Sequence, residues 1–191
     1  FVTFQMVGGR VGSANLFYNM EDNKWIIGGS IIFFSLMAWG WKLLNKKIIH
    51  RFYILQAQKV LKKIQVIIGE REEARKLNYL RKINPYVFEE VLLLAFEKKG
   101  YKVIRNKRYS GDGGVDGMVI IEGHRIPIQA KRYKKYIRKV HVQSFENLVM
   151  ERKAPYGLFI HTGKTGKESR EENFPHVKII SGRKLLNLLA P

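Results

Sequence analysis

Acids, an amide and a lysine bracket one short apolar hairpin in YSGDGGVDGMVIIEGHRIPIQAKRYKK, residues 109–135. Asp116 stands where a glycine-rich loop enters the first apolar run, MVII. Gln129 and Lys131 lie in the second run, RIPIQAK, thirteen and fifteen positions later. The runs alternate and are separated by EGH, which reads as a β-hairpin. Residues two apart on a strand share a face, so Gln129 and Lys131 take one side and Ile126, Ile128 and Ala130 the core side. A hairpin sets the start of its first strand beside the end of its second. Asp116, Gln129 and Lys131 are therefore expected to converge. A carboxylate and an amide oxygen are hard ligands suited to Mg2+ or Mn2+. A lysine beside such an ion can orient a water or stabilise charge on a phosphate.

The surroundings of that trio are basic. KRYKKYIRK follows it, with Arg132, Lys134, Lys135, Arg138 and Lys139 placed to bind phosphates, and Lys107 and Arg108 precede the loop. Tyr133 and Tyr136 can stack on bases or pack internally. Gly113 and Gly114, with Gly111, let the loop turn tightly or approach a phosphate, and Asp112 reads as a turn residue. The net charge is +19, and residues 1–41 contribute none of it: Arg10 and Lys24 balance Glu21 and Asp22. Such a field attracts polyanions, either nucleic acid or an anionic membrane face; general solubility is the plainer reading. There is no cysteine, which excludes disulfides, thiolate metal sites and a thiol nucleophile. HTGKTGKES departs from a phosphate loop because Glu168 follows Lys167 and His161 replaces the first glycine. The five histidines lack metal-ligand spacing; His161 falls near the site at a strand end and is expected to be packed.

The elements that must position these residues begin at Asn84, an expected helix N-cap with Pro85 in the first turn. YVFEEVLLLAFEKK runs to Gly100, and the strand YKVIRNK precedes the glycine-rich loop. After the hairpin come a helix (VHVQSFENLVMERK), strands YGLFIHTG and VKII, and a closing helix (GRKLLNLL). The expected order is α-β-β-β-α-β-α-β-α, one mixed α/β domain over residues 84–191. Pro127 requires an unpaired position or an irregularity on its strand. On the first helix Glu89 is followed at three, four and seven by Leu92, Leu93 and Phe96, so it faces the apolar side; Glu90 shares its row with Glu97 and reads as more exposed. Glu89 could also reach water at the helix start, where the dipole favours a carboxylate.

Residues 25–44 carry one charge, Lys42, and have Trp25, Trp39 and Trp41 near their ends. About 20 such residues cross a hydrocarbon core, and indoles favour its interface. A buried core helix and a signal peptide are the competing readings. Lys42, Lys46, Lys47, Arg51, Lys59, Lys62 and Lys63 follow the run, with no acid before Glu70. The positive-inside rule puts the C-terminal part in the cytoplasm. The expected organisation is a short extracytoplasmic segment (1–24), a transmembrane helix (25–44), a basic helical linker (45–83) and the α/β domain. Leu61, Ile64 and Ile68 have brief heptad spacing, so the linker either packs against a copy of itself or a partner helix, or lies solvated along anionic headgroups.

From Val87 to about Leu189 the chain resembles the Mrr-type restriction endonucleases, a branch of the PD-(D/E)xK nuclease superfamily. FEEVLLLAFEKKGYKV, YSGDGGVDG and IPIQAKRY carry the likeness; YGLFIHTGKTG and VKIISGRKLLNLL fit its last strands and closing helix less specifically. QAK is the Gln-x-Lys variant of the usual acid-x-Lys pair. The resemblance implies a restriction-endonuclease-like mixed sheet with flanking helices and Mg2+-dependent DNA hydrolysis. It assigns Asp116 to the metal, Gln129 to the second ligand position and the Ala130 carbonyl as a further ligand. Lys131 would position the attacking water and Glu89 would be an accessory acid. Where family members commonly carry a DNA-reading domain, this sequence has the apolar run and basic linker, which leaves little room for sequence or methylation readout. The expected protein is a single-pass endodeoxyribonuclease of the inner or cytoplasmic membrane, binding DNA and no small-molecule cofactor. The alternative is a catalytically weak, membrane-tethered DNA-binding module with a nuclease fold.

Overall fold

The computed structural model describes residues 24–106 and 114–191, without the side chains of residues 24–31, 42, 43 and 46. The chain forms two compact units, 1–44 and 45–191. Helix α1 spans Lys24–Gln65. Within the first unit Ile32, Phe33, Phe34, Leu36, Met37, Trp39, Trp41 and Leu44 are exposed. Among the described residues no helix is long and apolar enough to cross a membrane. The first part of the 25–44 run lies where side chains are not described, and residues 1–23 of the expected extracytoplasmic segment lie outside the described residues.

The second unit is built on a five-stranded sheet in the order β1-β2-β3-β4-β5. Strands β1 (Lys102–Arg105), β2 (Gly117–Ile121) and β3 (His124–Lys131) are antiparallel neighbours; β4 (Gly157–His161) and β5 (Val177–Ile180) continue parallel to β3. The β2–β3 hairpin closes over Glu122 and Gly123, both at positive φ (49° and 80°), as a tight two-residue turn requires. Pro127 sits one residue before β3 acquires its β4 neighbour at Ile128, so its missing N–H costs no bond to that strand.

Alternation along the strands makes two cores. Ile126, Ile128, Leu158 and Ile160 face helices α3 (Pro85–Lys98) and α5 (Gly182–Leu189), whose Phe88, Leu92, Leu93 and Leu185 complete one cluster. Phe159, Val177 and Ile179 face the other way, onto Val142, Phe145 and Val149 of α4 (Lys139–Glu151). The cap of α3 forms as its sequence suggests: Asn84 Oδ1 accepts from Tyr86 N at 2.9 Å, with Pro85 in the first turn.

Two features differ from the expected organisation. Between β4 and β5 stand two three-residue 3-10 turns, Lys167–Ser169 and Glu171–Asn173, in place of an α-helix. That segment has only Phe174 to bury, too little apolar surface for a helical stripe. The 45–83 segment is also more than a linker. Ala57, Val60, Leu61 and Ile64 of α1 follow i, i+3, i+4, i+7 spacing and join Leu80 of α2 (Glu72–Lys82) in the α3 core cluster, so the compact unit begins at Asn45. Ile68, beyond the end of α1, is exposed.

Candidate active site

The hairpin register pairs Gly117 with Ile128, which brings the entry of β2 to the exit of β3. Asp116 N donates to Ile128 O at 2.8 Å, and Ala130 N donates to Asp116 Oδ2 at 2.7 Å. The carboxylate is thus fixed by the backbone of the strand that carries Gln129 and Lys131. Gln129 is 7% exposed; its Nε2 donates to Gly114 O at 2.6 Å. Gly114 has φ +90°, and a Cβ there would lie 2.9 Å from Gln129 Nε2, so glycine serves both the turn and the close approach. The Nε2 bond fixes the amide's orientation and leaves Oε1 as a buried acceptor with no hydrogen-bond donor among the described residues.

Asp116, Ala130 and Lys131 line a cavity of about 240 Å³. Glu89, Phe88 and Pro85 bring the first turns of α3 to its other side, and Arg132 completes the rim. A cleft of about 400 Å³ near Arg170, Ser181 and Arg183 holds none of these converging residues. Two braces tie α2 and the segment after it to the chain at the ends of β3 and β4. Arg81, in the last turn of α2, donates from Nε (2.9 Å) and Nη2 (2.7 Å) to Thr162 O. Arg132 Nη1 returns the link, donating to Ile83 O and, at 3.3 Å, to Arg81 O. Arg132 is therefore partly committed to holding α2, and burial lowers its pKa while the charge of Glu89 opposes that shift.

The glutamates of α3 divide their roles differently from the simple face argument. Glu90 is the buried one, 1% exposed, and Glu89 is half-buried on the cavity. Arg105 of β1 crosses the Glu90–Glu97 row: its Nε reaches Glu90 Oε2 at 2.9 Å, and its Nη1 and Nη2 reach Glu97 at 2.6 and 2.7 Å. His50 Nδ1 lies 3.6 Å from Glu90 Oε1. A strand neighbour supplying a guanidinium makes the burial of Glu90 tolerable, which helix periodicity cannot reveal. The hydrogen bond from Arg105 holds the Glu97 carboxyl below its usual range.

Lys134, Lys135, Arg138 and Lys139 are exposed beyond the end of β3. Lys107, Arg108 and Gly113 lie outside the described residues, as do Gly111 and Asp112. Tyr133 is half-buried, with its hydroxyl bonded to His141 Nδ1. Burial raises the Tyr133 pKa and lowers that of His141, which the charges of Arg138 and Lys131 depress further.

The sequence reading missed the loop after β4. Thr162 Oγ1 accepts from Tyr133 N and donates to Tyr133 O, both at 3.1 Å. A Cβ on Gly163 would meet Lys135 O at 2.5 Å, so only glycine lets the two loops run in contact. His161 is buried; Gly163 N donates to its Nδ1 and its Nε2 pairs with Thr165 Oγ1, each at 3.2 Å. Burial pushes its imidazole down to about 4, so it is neutral and structural. The signal was HTGKTG itself, whose small and hydroxyl residues brace the basic loop.

Whether these residues suit a metal ion can be tested on their donors. Among the described residues no three His, Cys, Asp or Glu side chains gather as a metal cluster. Mg2+ needs fewer, since it is commonly held by one or two carboxylates and completes its shell with water and substrate phosphate. Asp116, Glu89 and Ala130 give the cavity oxygen donors beside Lys131, whereas Gln129, one residue away on β3, is not among its lining residues. The set fits a hard divalent cation.

A mixed five-stranded sheet flanked by helices, with an acid, an amide and a lysine gathered at one end of its antiparallel hairpin, defines a restriction-endonuclease-like domain. Residues 80–189 match the restriction endonuclease family model Mrr_cat, and the chain belongs to the Mrr-type restriction endonuclease family. It is 25% identical over 122 residues to the type IV methyl-directed restriction enzyme EcoKMrr of Escherichia coli (strain K12), an alignment covering 59% of this chain and 40% of that enzyme. The chain thus spans well under two thirds of the relative's length. Among solved structures, the MspJI restriction endonuclease in complex with a 27-mer oligonucleotide is similar at 23% identity and a TM-score of 0.45, over 63% of this chain and 32% of that one.

Proposed function

We propose that the chain is a metal-dependent endodeoxyribonuclease anchored in the inner or cytoplasmic membrane, with its nuclease domain in the cytoplasm. The observation that supports the catalytic reading is the Asp116 carboxylate held on Ala130 N, with Lys131 and Glu89 lining the same cavity and Gln129 adjoining on β3. Asp116, Gln129 Oε1 and the Ala130 carbonyl would hold Mg2+ or Mn2+. When bound, the cation supplies Lewis acidity and charge neutralisation at the scissile phosphate. Lys131 orients the attacking water and stabilises charge on the phosphate. Water adds to phosphorus as the bond to the leaving oxygen breaks; the water's proton is lost to solvent, the leaving oxygen takes one up from solvent, and Glu89, on the same cavity, would accept a hydrogen bond from the water. Exposed Lys134, Lys135, Arg138 and Lys139, with Lys107 and Arg108, hold flanking phosphates.

Membrane anchoring is supported by the length and apolarity of residues 25–44, by the exposed apolar side chains from Ile32 to Trp41, and by the run of lysines that follows. The test of the chemistry is nicking of supercoiled plasmid by the detergent-solubilised full chain. Cleavage is expected with Mg2+ or Mn2+ and not with EDTA. Lys131→Ala and Asp116→Ala are each expected to slow it about 100-fold or more while circular dichroism is retained. Wild-type rates in Lys131→Ala would overturn the mechanism. Methylated and unmodified plasmids belong side by side, because EcoKMrr is a methyl-directed enzyme.

One observation favours the second reading, a weakly catalytic DNA-binding module: Gln129, proposed for the second ligand position, is not among the residues lining the cavity of Asp116 and Lys131. That reading predicts salt-sensitive DNA binding without cleavage under either metal.

A further inference from the structure

Strands β3 and β4 leave the sheet side by side, and the chain beyond them stays joined. Thr162 N donates to Lys131 O at 3.2 Å, Lys164 N to Lys135 O at 3.0 Å, and Ile137 N to Lys164 O at 3.0 Å. An isolated parallel bridge pairs Tyr136 with Lys164. Ile137 is buried in the α4 core cluster and anchors this ribbon. Tyr136, its neighbour, is 61% exposed. The backbone at Tyr136 is therefore held while its ring stays at the surface, beside the strand end that carries Lys131.

The ring's surroundings are cationic. Lys164 Nζ lies 5.8 Å from its centroid, and Lys134, Lys135 and Arg138 are exposed on the same short loop. Gly166 abuts the ring, where an added Cβ would come within 3.6 Å of Cδ1. The other aromatic of the loop, Tyr133, is committed to His141 and Thr162. One exposed aromatic alone means little. A pinned aromatic amid phosphate-binding cations has the pattern by which proteins hold unpaired nucleic acid, where each base stacks on a ring and the backbone follows the charge.

We propose that Tyr136 is a stacking platform for an unpaired nucleobase, with Lys164 and Lys135 on the adjoining phosphates, so that the domain prefers DNA with an accessible base, at a gap or single-stranded stretch, to intact duplex. In an intact duplex both faces of a base are covered by its neighbours, and extruding one costs unstacking energy. The proposal deepens the nuclease reading but is tested apart from cleavage.

The probe is an oligonucleotide duplex carrying 2-aminopurine opposite a one-nucleotide gap, compared with its intact counterpart. Both are titrated against the full chain in detergent and EDTA. Wild type is expected to bind the gapped form about tenfold more tightly, the scale of one base–aromatic stack, and to quench the 2-aminopurine. Tyr136→Leu removes the preference and the quenching but leaves intact-duplex affinity and its salt slope unchanged, because the ribbon's hydrogen bonds are backbone ones. Tyr136→Trp restores both. Lys164→Ala weakens both substrates equally and reduces the salt slope by about one. Equal wild-type affinity for the two substrates, or a preference that survives Tyr136→Leu, overturns the platform. Plasmid cleavage without gap preference sinks the platform alone. Gap preference without cleavage under any metal upholds it and sinks the nuclease reading.

Discussion

Gln129 is a buried amide on the strand whose backbone holds the Asp116 carboxylate. Its Nε2 satisfies Gly114 O and its Oε1 keeps one acceptor in reserve. Gln129→Glu would delete the donor and add a like charge, raising the local carboxyl pKa. The variant is expected to be about 1–3 kcal/mol less stable without metal and to recover on adding Mg2+, as read by paired thermal melts with and without EDTA. A melt indifferent to Mg2+ would argue against a cation between these groups. His161 gives a second test. Its folded pKa of about 4 lies below the unfolded value of about 6.5, so between these the unfolded chain binds more protons. Stability therefore falls as pH drops through that window, by about 3 kcal/mol from this residue. Denaturant titrations from pH 7 to pH 4 should show this fall in wild type and a shallower one in His161→Asn.

Elements decide which of these residues meet. The hairpin, the α3 cap and the approach of Asp116 to the end of β3 at Ala130 and Lys131 were legible because alternation, capping and turn chemistry are local signals. Glu90 was not. Its helical row predicted exposure, and only the arrival of β1, which places Arg105 across Glu90 and Glu97, makes its burial intelligible. The core role of Ala57, Val60, Leu61 and Ile64 was hidden by the lysines interleaved with them, which sit on the opposite side of α1. The brace from Arg81 to Thr162 joins residues 81 apart, beyond any periodicity. Arg105→Ala strands a buried carboxylate and is expected to cost about 3 kcal/mol in urea unfolding. Adding Glu90→Gln should recover part of that loss. Strict additivity of the two changes would show that the pair is not coupled.

At the scale of the whole molecule the charge has a direction. The +19 resides entirely after residue 41, and its first members follow the uncharged run at 25–41 directly. In the anchored arrangement proposed above, charge so placed would keep Lys42, Lys46 and Lys47 on the cytoplasmic side and leave the N-terminal segment outside. The same arrangement would present the basic domain to the compartment that holds DNA, where long-range attraction speeds encounter and weakens with salt. The sequence supplies its own clean background for testing the arrangement, since it contains no cysteine. Ser13→Cys and Ser144→Cys place single thiols before the apolar run and on an exposed turn of α4. In intact bacterial cells stripped of any outer barrier, a membrane-impermeant maleimide should label Ser13→Cys at once and Ser144→Cys only after permeabilisation. Both variants should remain in the membrane pellet after an alkaline wash, which removes proteins held only by charge. Labelling in the reverse order would invert the topology. Release of the chain by the wash would replace a spanning anchor with electrostatic attachment to headgroups.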